Sequence, residues 1–263
     1  MTDSDFTPET TEPQKQEPDK KPVVNPIRLS GFSLMLIACL SLLLGQTASI
    51  LFGNCAQSSG LDGMIFRLAV GFGHLAFPLF SFLMVQDVLK NGNILLKAAV
   101  CLGLAFICQI PFSLACYGQI FSFEKTNMAF TLLLGLISIF LCERSKIAGR
   151  GSRLLPWFMM IPCVYVCFYA GAYLLHCEYG GMGVLMITYF YLLDEKPVWR
   201  DVLFIVQAAL FGVTGTASIL DVPLFHFWNG EIGSGFEKMK YVFLIYYPLL
   251  LSILWGIKTV ISG

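Results

Sequence analysis

An all-α, polytopic transmembrane helix bundle of about eight spans is the fold class this sequence predicts, and three observations predict it. The apolar residues come in long continuous runs, not in alternation. Hydrophobic residues make up 56% of the chain and charged ones 13%, against about 25% charged in soluble domains. The remaining charges fall between the runs or in a polar N-terminal segment. In lipid a chain must pair its own backbone polar groups, so continuous runs of roughly 20 residues select helices.

Residues 1–30 hold Asp3, Asp5, Glu9, Glu12, Glu17 and Asp19 against Lys15, Lys20 and Lys21, with several prolines and few large apolar groups. They read as a disordered cytoplasmic tail that cannot bury enough surface to offset its ordering entropy. The first apolar run starts too late and is too long for a secretory signal. Residues 31–263 read as the transmembrane domain, with uncharged runs at Gly31–Phe52, Leu68–Gln86, Ala98–Phe123, Thr126–Cys142, Leu154–Leu175, Tyr179–Leu193, Val202–Leu220 and Tyr241–Ile257. The sixth run is short and opens at Gly180-Gly181, which suits a partly re-entrant segment. Asp221–Met239 reads as an outer loop with Trp228 at the interface. With the tail and both termini cytoplasmic, 13 of the 17 Lys and Arg residues fall inside. Arg67, Lys125, Lys238 and Lys240 fall outside, as the positive-inside rule requires of a minority. The location is a cell (plasma) membrane, crossed several times, with lipid as the first partner. Zero net charge gives no sign of a nucleic-acid partner.

Seven of the nine cysteines lie in spans, where Cys is a small apolar residue. No CxxC spacing suggests a metal. Cys55 and Cys177 share the expected outer face, and two separate thiols are favoured over a disulfide.

Polar side chains in a span are costly and often mark a site. Here they are Gln46 in the first span, His74 in the second with Gln86-Asp87 at its end, Gln109 in the third, and Asn127 and Thr131 in the fourth. Glu178-Tyr179 open the sixth and Tyr247 lies in the eighth. Bland readings stand beside these. His74 would bond a carbonyl freed by a kink at Pro78, and the glutamines would bond between helices. Arg67, seven residues before His74, would snorkel; Asp87 and Glu178 would be solvated. Phosphate-binding loops, GxSxG and HExxH are absent. His226 reads as an interfacial anchor.

In order, Gly73-His74-Leu75-Ala76-Phe77-Pro78-Leu79-Phe80, Gln109-Ile110-Pro111-Phe112, Asn127-Met128-Ala129-Phe130-Thr131-Leu132, Tyr179-Gly180-Gly181-Met182-Gly183, Trp228-Asn229-Gly230 and Tyr247-Pro248-Leu249 resemble segments of the TraX family, the pilin-acetylation proteins of conjugation systems. The resemblance implies an integral-membrane acetyltransferase, with acetyl-CoA as donor and an amine or hydroxyl of a pilin-type peptide or envelope component as acceptor. In the family's scheme the base is a histidine of the first span; here His74, which stands where the family has an arginine, is the expected catalytic base from the neighbouring helix. Gln46, Arg67, Gln86, Gln109, Asn127, Thr131, Glu178, Tyr179, Asn229 and Tyr247 are substrate-binding residues, and no metal is used. Basic residues Arg144, Lys146, Arg150 and Arg153 would meet the CoA phosphates. The chain departs from the family where Gly45-Gln46 replaces an Asp-His pair and Leu250 a histidine. The alternative is therefore a catalytically degenerate relative that binds without turnover; a transporter lacks the expected paired repeats.

Overall fold

The computed structural model describes residues 28–122, 124–149, 169–231 and 234–262. The tail to residue 27, the start of the fifth expected span, and Arg150 and Arg153 lie outside the described residues. Every extended element among the described residues is helical. Helix α1 (Gly31–Leu51) has Ser30 as its N-cap, whose Oγ accepts from the N–H of Ser33 at 3.2 Å. Its 21 residues reach about 30 Å, one hydrocarbon core.

The second expected span is two helices, α2 (Leu61–Gly73) and α3 (Ala76–Asn91), with His74 and Leu75 in a turn between them. The break precedes Pro78, which sits in the first turn of α3. There a missing N–H costs nothing, so proline opens a helix instead of kinking one. Helices α4 (Ile94–Tyr117), α5 (Met128–Gly149) and the short α6 (Gly180–Leu192) follow. Next come α7 (Pro197–Leu210), α8 (Gly212–Thr216), a 3₁₀ turn Ala217–Leu220, α9 (Asp221–Phe227) and the long α10 (Ser234–Ser262). Among the described residues, Gly31–Leu51, Leu61–Asn91 and Ile94–Tyr117 are long and apolar enough to cross a membrane; Gly180–Leu192, Ala217–Phe227 and Ile245–Ile261 are shorter apolar stretches.

Helix α1 packs on α2, α3 and α10; α4 packs on α5 and α10; α6 fills the space between α3 and α5. Phe77, Leu79, Phe82, Leu136, Ile187 and Tyr247 form the buried centre, while Leu40, Leu96, Ile107 and Ile110 face outward. Such apolar outward rows are what a lipid-facing surface requires.

The seventh expected span is divided among α7, α8 and the 3₁₀ turn. Helix α7 starts where α6 ends and climbs until Gln207 Nε2 donates to Met182 O at 3.0 Å, near the start of α6. The chain then turns at Gly212, whose φ of 79° favours glycine, and returns through α8 and α9. At the foot, Leu29 N–H donates to Phe227 O at 2.7 Å and Asn229 N–H to Leu29 O at 3.0 Å; Lys90 Nζ reaches Gly230 O. Trp228 and Asn229 therefore lie at the start of α1, not at the opposite face as an outer loop would. From that foot α10 runs the other way, and Lys258 Nζ donates to Ala115 O at 2.8 Å near the far end of α4. Leu29 and Ser262 thus sit at opposite ends of the bundle.

At the foot Asp87 is buried, not solvated: Lys97 Nζ lies 2.8 Å from its Oδ2 and Asn91 Nδ2 2.6 Å from its Oδ1. Cys55 and Cys177 are both free thiols.

Candidate functional site

The loop between α4 and α5 is folded by two amides. Gln109 Nε2 donates to Ser122 O at 2.8 Å and to Lys125 O at 3.1 Å, and its Oε1 accepts from the N–H and Nδ2 of Asn127. Asn127 Nδ2 also donates to Ala105 O at 2.7 Å, while its Oδ1 accepts from Ala129 N–H, opening α5. Both residues are fully buried. Their polar atoms are spent inside the protein, so they shape the site by holding Lys125 and the start of α5.

Thr126 then pairs with the segment before α6. Its N–H donates to His176 O at 3.0 Å, and its carbonyl accepts from Glu178 N–H at 3.1 Å. This two-bond bridge sets Glu178 beside Lys125. Glu178 and Tyr179 follow as the last residues before Gly180 begins α6. Tyr179 stacks flat on Phe77, with ring centroids 3.8 Å apart and 7° between planes, a contact worth about 1 kcal/mol beyond burial.

A cavity of about 360 Å³ opens here. His74 and Pro78 bound it from the α2–α3 break, Lys125, Glu178 and Tyr179 from the loops, and Gln207 from α7. Phe204, Phe211 and Ser218 of the returning hairpin also line it. Beneath lies an aromatic cluster in which Phe204 meets Phe190 and Phe225 at 5.9 and 5.5 Å. A second hollow of about 470 Å³, walled by Tyr169, Tyr173, His176 and Cys177, shares Lys125, Glu178, Tyr179 and Phe211 with the first.

The imidazole of His74 is half-buried and bonds to none of the described residues; only its backbone N–H is engaged, with Val70 O and Gly71 O. The expected bond to a carbonyl freed by Pro78 is not made. Glu178 Oε2 also has no hydrogen-bond partner. Burial pushes the Glu178 carboxyl above its usual range, against smaller opposing pulls from the Lys125 charge, the Gln46 amide and the Met128 N–H.

Of the residues singled out in the sequence, His74, Glu178 and Tyr179 share the cavity, and Gln46 joins through Glu178. Tyr247 is fully buried behind them and meets the Met128 backbone. Thr131 is fully buried, and its hydroxyl makes no hydrogen bond to any described residue. Four more are elsewhere. Arg67 is exposed and donates to Ser58 O at 3.2 Å. Gln86 Nε2 donates to Asp194 Oδ1 at 2.5 Å, and Asn229 Oδ1 accepts from Glu231 N–H at 2.8 Å, Gln86 and Asn229 both lying at the foot. Arg144 lies over the Phe140 ring at 5.1 Å. Lys125 and Gln207 are the site residues the sequence reading missed. A lone glutamine in the apolar run Val202–Leu220 carries the same intramembrane-polar signal that singled out Gln46 and Gln109. Among the described residues no group of three His, Cys, Asp or Glu side chains could hold a metal ion.

Neither the curated proteins nor the solved structures include a match to this chain. A family model described as TraX protein matches residues 30–258, which takes in every element from α1 to nearly the end of α10. The chain belongs to the TraX protein family.

Proposed function

We propose that this protein is a membrane acetyltransferase that moves an acetyl group from acetyl-CoA to an amine or hydroxyl of a pilin-type peptide or envelope component. The observation that carries the reading is the His74 imidazole, which opens on the cavity without a hydrogen bond from any described residue. A histidine with a free ring nitrogen facing a hollow is suited to accept a proton from an attacking nucleophile. The hollow, at about 360 Å³, suits the acetyl-bearing end of the donor, since whole small-molecule sites run from about 300 to 1,000 Å³. Lys125 supplies positive charge at the mouth. Tyr179, pinned by Phe77, supplies a flat wall.

Orientation follows from the basic residues. With the foot in the cytoplasm, the start of α10 brings Lys238 and Lys240 to the cytoplasmic side and its end takes Lys258 away. The arrangement strengthens the positive-inside bias. The cavity then lies in the outer half of the bilayer, so the acceptor arrives from the membrane or the outer side. Transfer from labelled acetyl-CoA by purified protein in detergent, and its loss in His74→Ala, test the reading.

A binding protein without turnover is the second reading. It is favoured by Gln46, which stands where the family carries a proton-accepting pair and lies beside the Glu178 carboxyl; an amide accepts no proton near neutrality. Acetyl-CoA bound but never consumed by the unaltered protein would establish it.

A further inference from the structure

Lys125, Glu178, Tyr179 and Phe211 belong to both hollows, so they form the neck through which the two communicate. Glu178 enters that neck from the Thr126 bridge, with Gln46 and the Met128 N–H beside its carboxyl and Oε2 left unpartnered. His74 lines the inner hollow alone, not the outer one. Two proton-handling groups therefore face one cavity from different elements, one an imidazole and one a carboxyl.

We propose that Glu178 is a second catalytic residue, the general acid that protonates the sulfur leaving the acetyl group, while His74 takes the proton of the attacking amine or hydroxyl. The assignment rests on the acetyl-transfer reading. In the step, the nucleophile's nitrogen or oxygen bonds to the carbonyl carbon and the carbon–sulfur bond breaks. The nucleophile's proton goes to the imidazole, and the carboxyl proton goes to the thiolate. The imidazolium and carboxylate left behind line the same cavity, and proton return between them resets the site. Burial favours the acid form of Glu178, as two groups with divided acid and base roles require. Lys125 is the charge that opposes this, and Glu124, His176, Cys177, Tyr169 and Tyr173 are titratable groups on the outer hollow beside the shared Tyr179.

The test compares two acetyl donors on the full chain in detergent. Acetyl-CoA has a thiol that needs a proton to leave well; para-nitrothiophenyl acetate has one that does not. In Glu178→Gln, the rate with acetyl-CoA should fall on the order of 10²-fold, while the rate with para-nitrothiophenyl acetate stays near that of the unaltered protein. Equal loss on both donors, or loss on neither, overturns the assignment while leaving acetyl transfer standing. Unaltered protein inert to both donors overturns the acetyl-transfer reading and this one with it. Should the Gln variant not fold, the pH profile of the unaltered protein decides. An alkaline fall with acetyl-CoA that is absent with para-nitrothiophenyl acetate supports the general acid, and matching profiles overturn it.

Discussion

Gly45 of α1 and Gly73 of α2 touch backbone to backbone: a Cβ added to Gly73 would stand 2.4 Å from the Gly45 Cα. The contact lies one residue before Gln46 on one helix and one before His74 on the other, so it fixes two site residues at once. Gly73→Ala should separate the helices and cost roughly 1–3 kcal/mol, the usual penalty of overpacking. Gly103→Ala, with nothing within 4 Å of the added carbon, should not destabilise. Thermal unfolding in detergent compares them.

His74→Ala and His74→Gln should each lower acetyl transfer by about 10²- to 10⁴-fold, the range for loss of a general base. Acetyl-CoA binding and the unfolding midpoint should hold, because the ring bonds to none of the described residues. Calorimetric binding beside turnover separates a chemical defect from a binding one.

Gln109→Leu should destabilise the fold by roughly 3 kcal/mol, since it strands Lys125 O and Asn127 N–H, each orphaned group costing about 1–3 kcal/mol, while Ser122 O keeps its bond from the Ser113 hydroxyl. With Asn127→Ala added, the combined loss should fall short of the sum of the single losses by more than about 0.5 kcal/mol. Chemical unfolding of the four-protein cycle measures it, and strict additivity would sink the network.

Stability should depend on pH through Glu178. Its carboxyl is raised in the fold, so the folded chain keeps a proton that the unfolded chain has already released. Stability then falls as pH rises from the ordinary carboxylate value, about 4.3, through the raised one, and is unaffected below that window. Glu178→Gln should flatten this slope in the unfolding midpoint measured against pH.

Tags fused to the two termini should be cut by added protease from opposite sides of sealed vesicles, because Leu29 and Ser262 lie at opposite ends of the bundle. Cleavage of both from one side would remove the hairpin reading of residues 197–227.

The bundle was legible in the sequence because apolar runs report lipid burial directly, and His74, Glu178 and Tyr179 stood out as polar or loop residues in apolar surroundings. The returning hairpin was not. Val202–Leu220 is as uncharged as a span, and hydropathy measures burial without measuring direction; only Gly212 and Gly215 hint at a turn. Asn229 was expected at the opposite end for the same reason, whereas Gln86 lies at the span end where the sequence puts it. Gln109 and Asn127 were visible as polar, but one sequence does not say whether an amide turns to a ligand or to its neighbour.

The pairing of Leu29 with Phe227 and Asn229 joins the entry to the first helix with the foot of the hairpin. That hairpin supplies Phe204, Gln207 and Phe211 to the cavity wall. The entry to the first helix and one wall of the hollow are therefore anchored to the same continuous stretch of chain, residues 197–229.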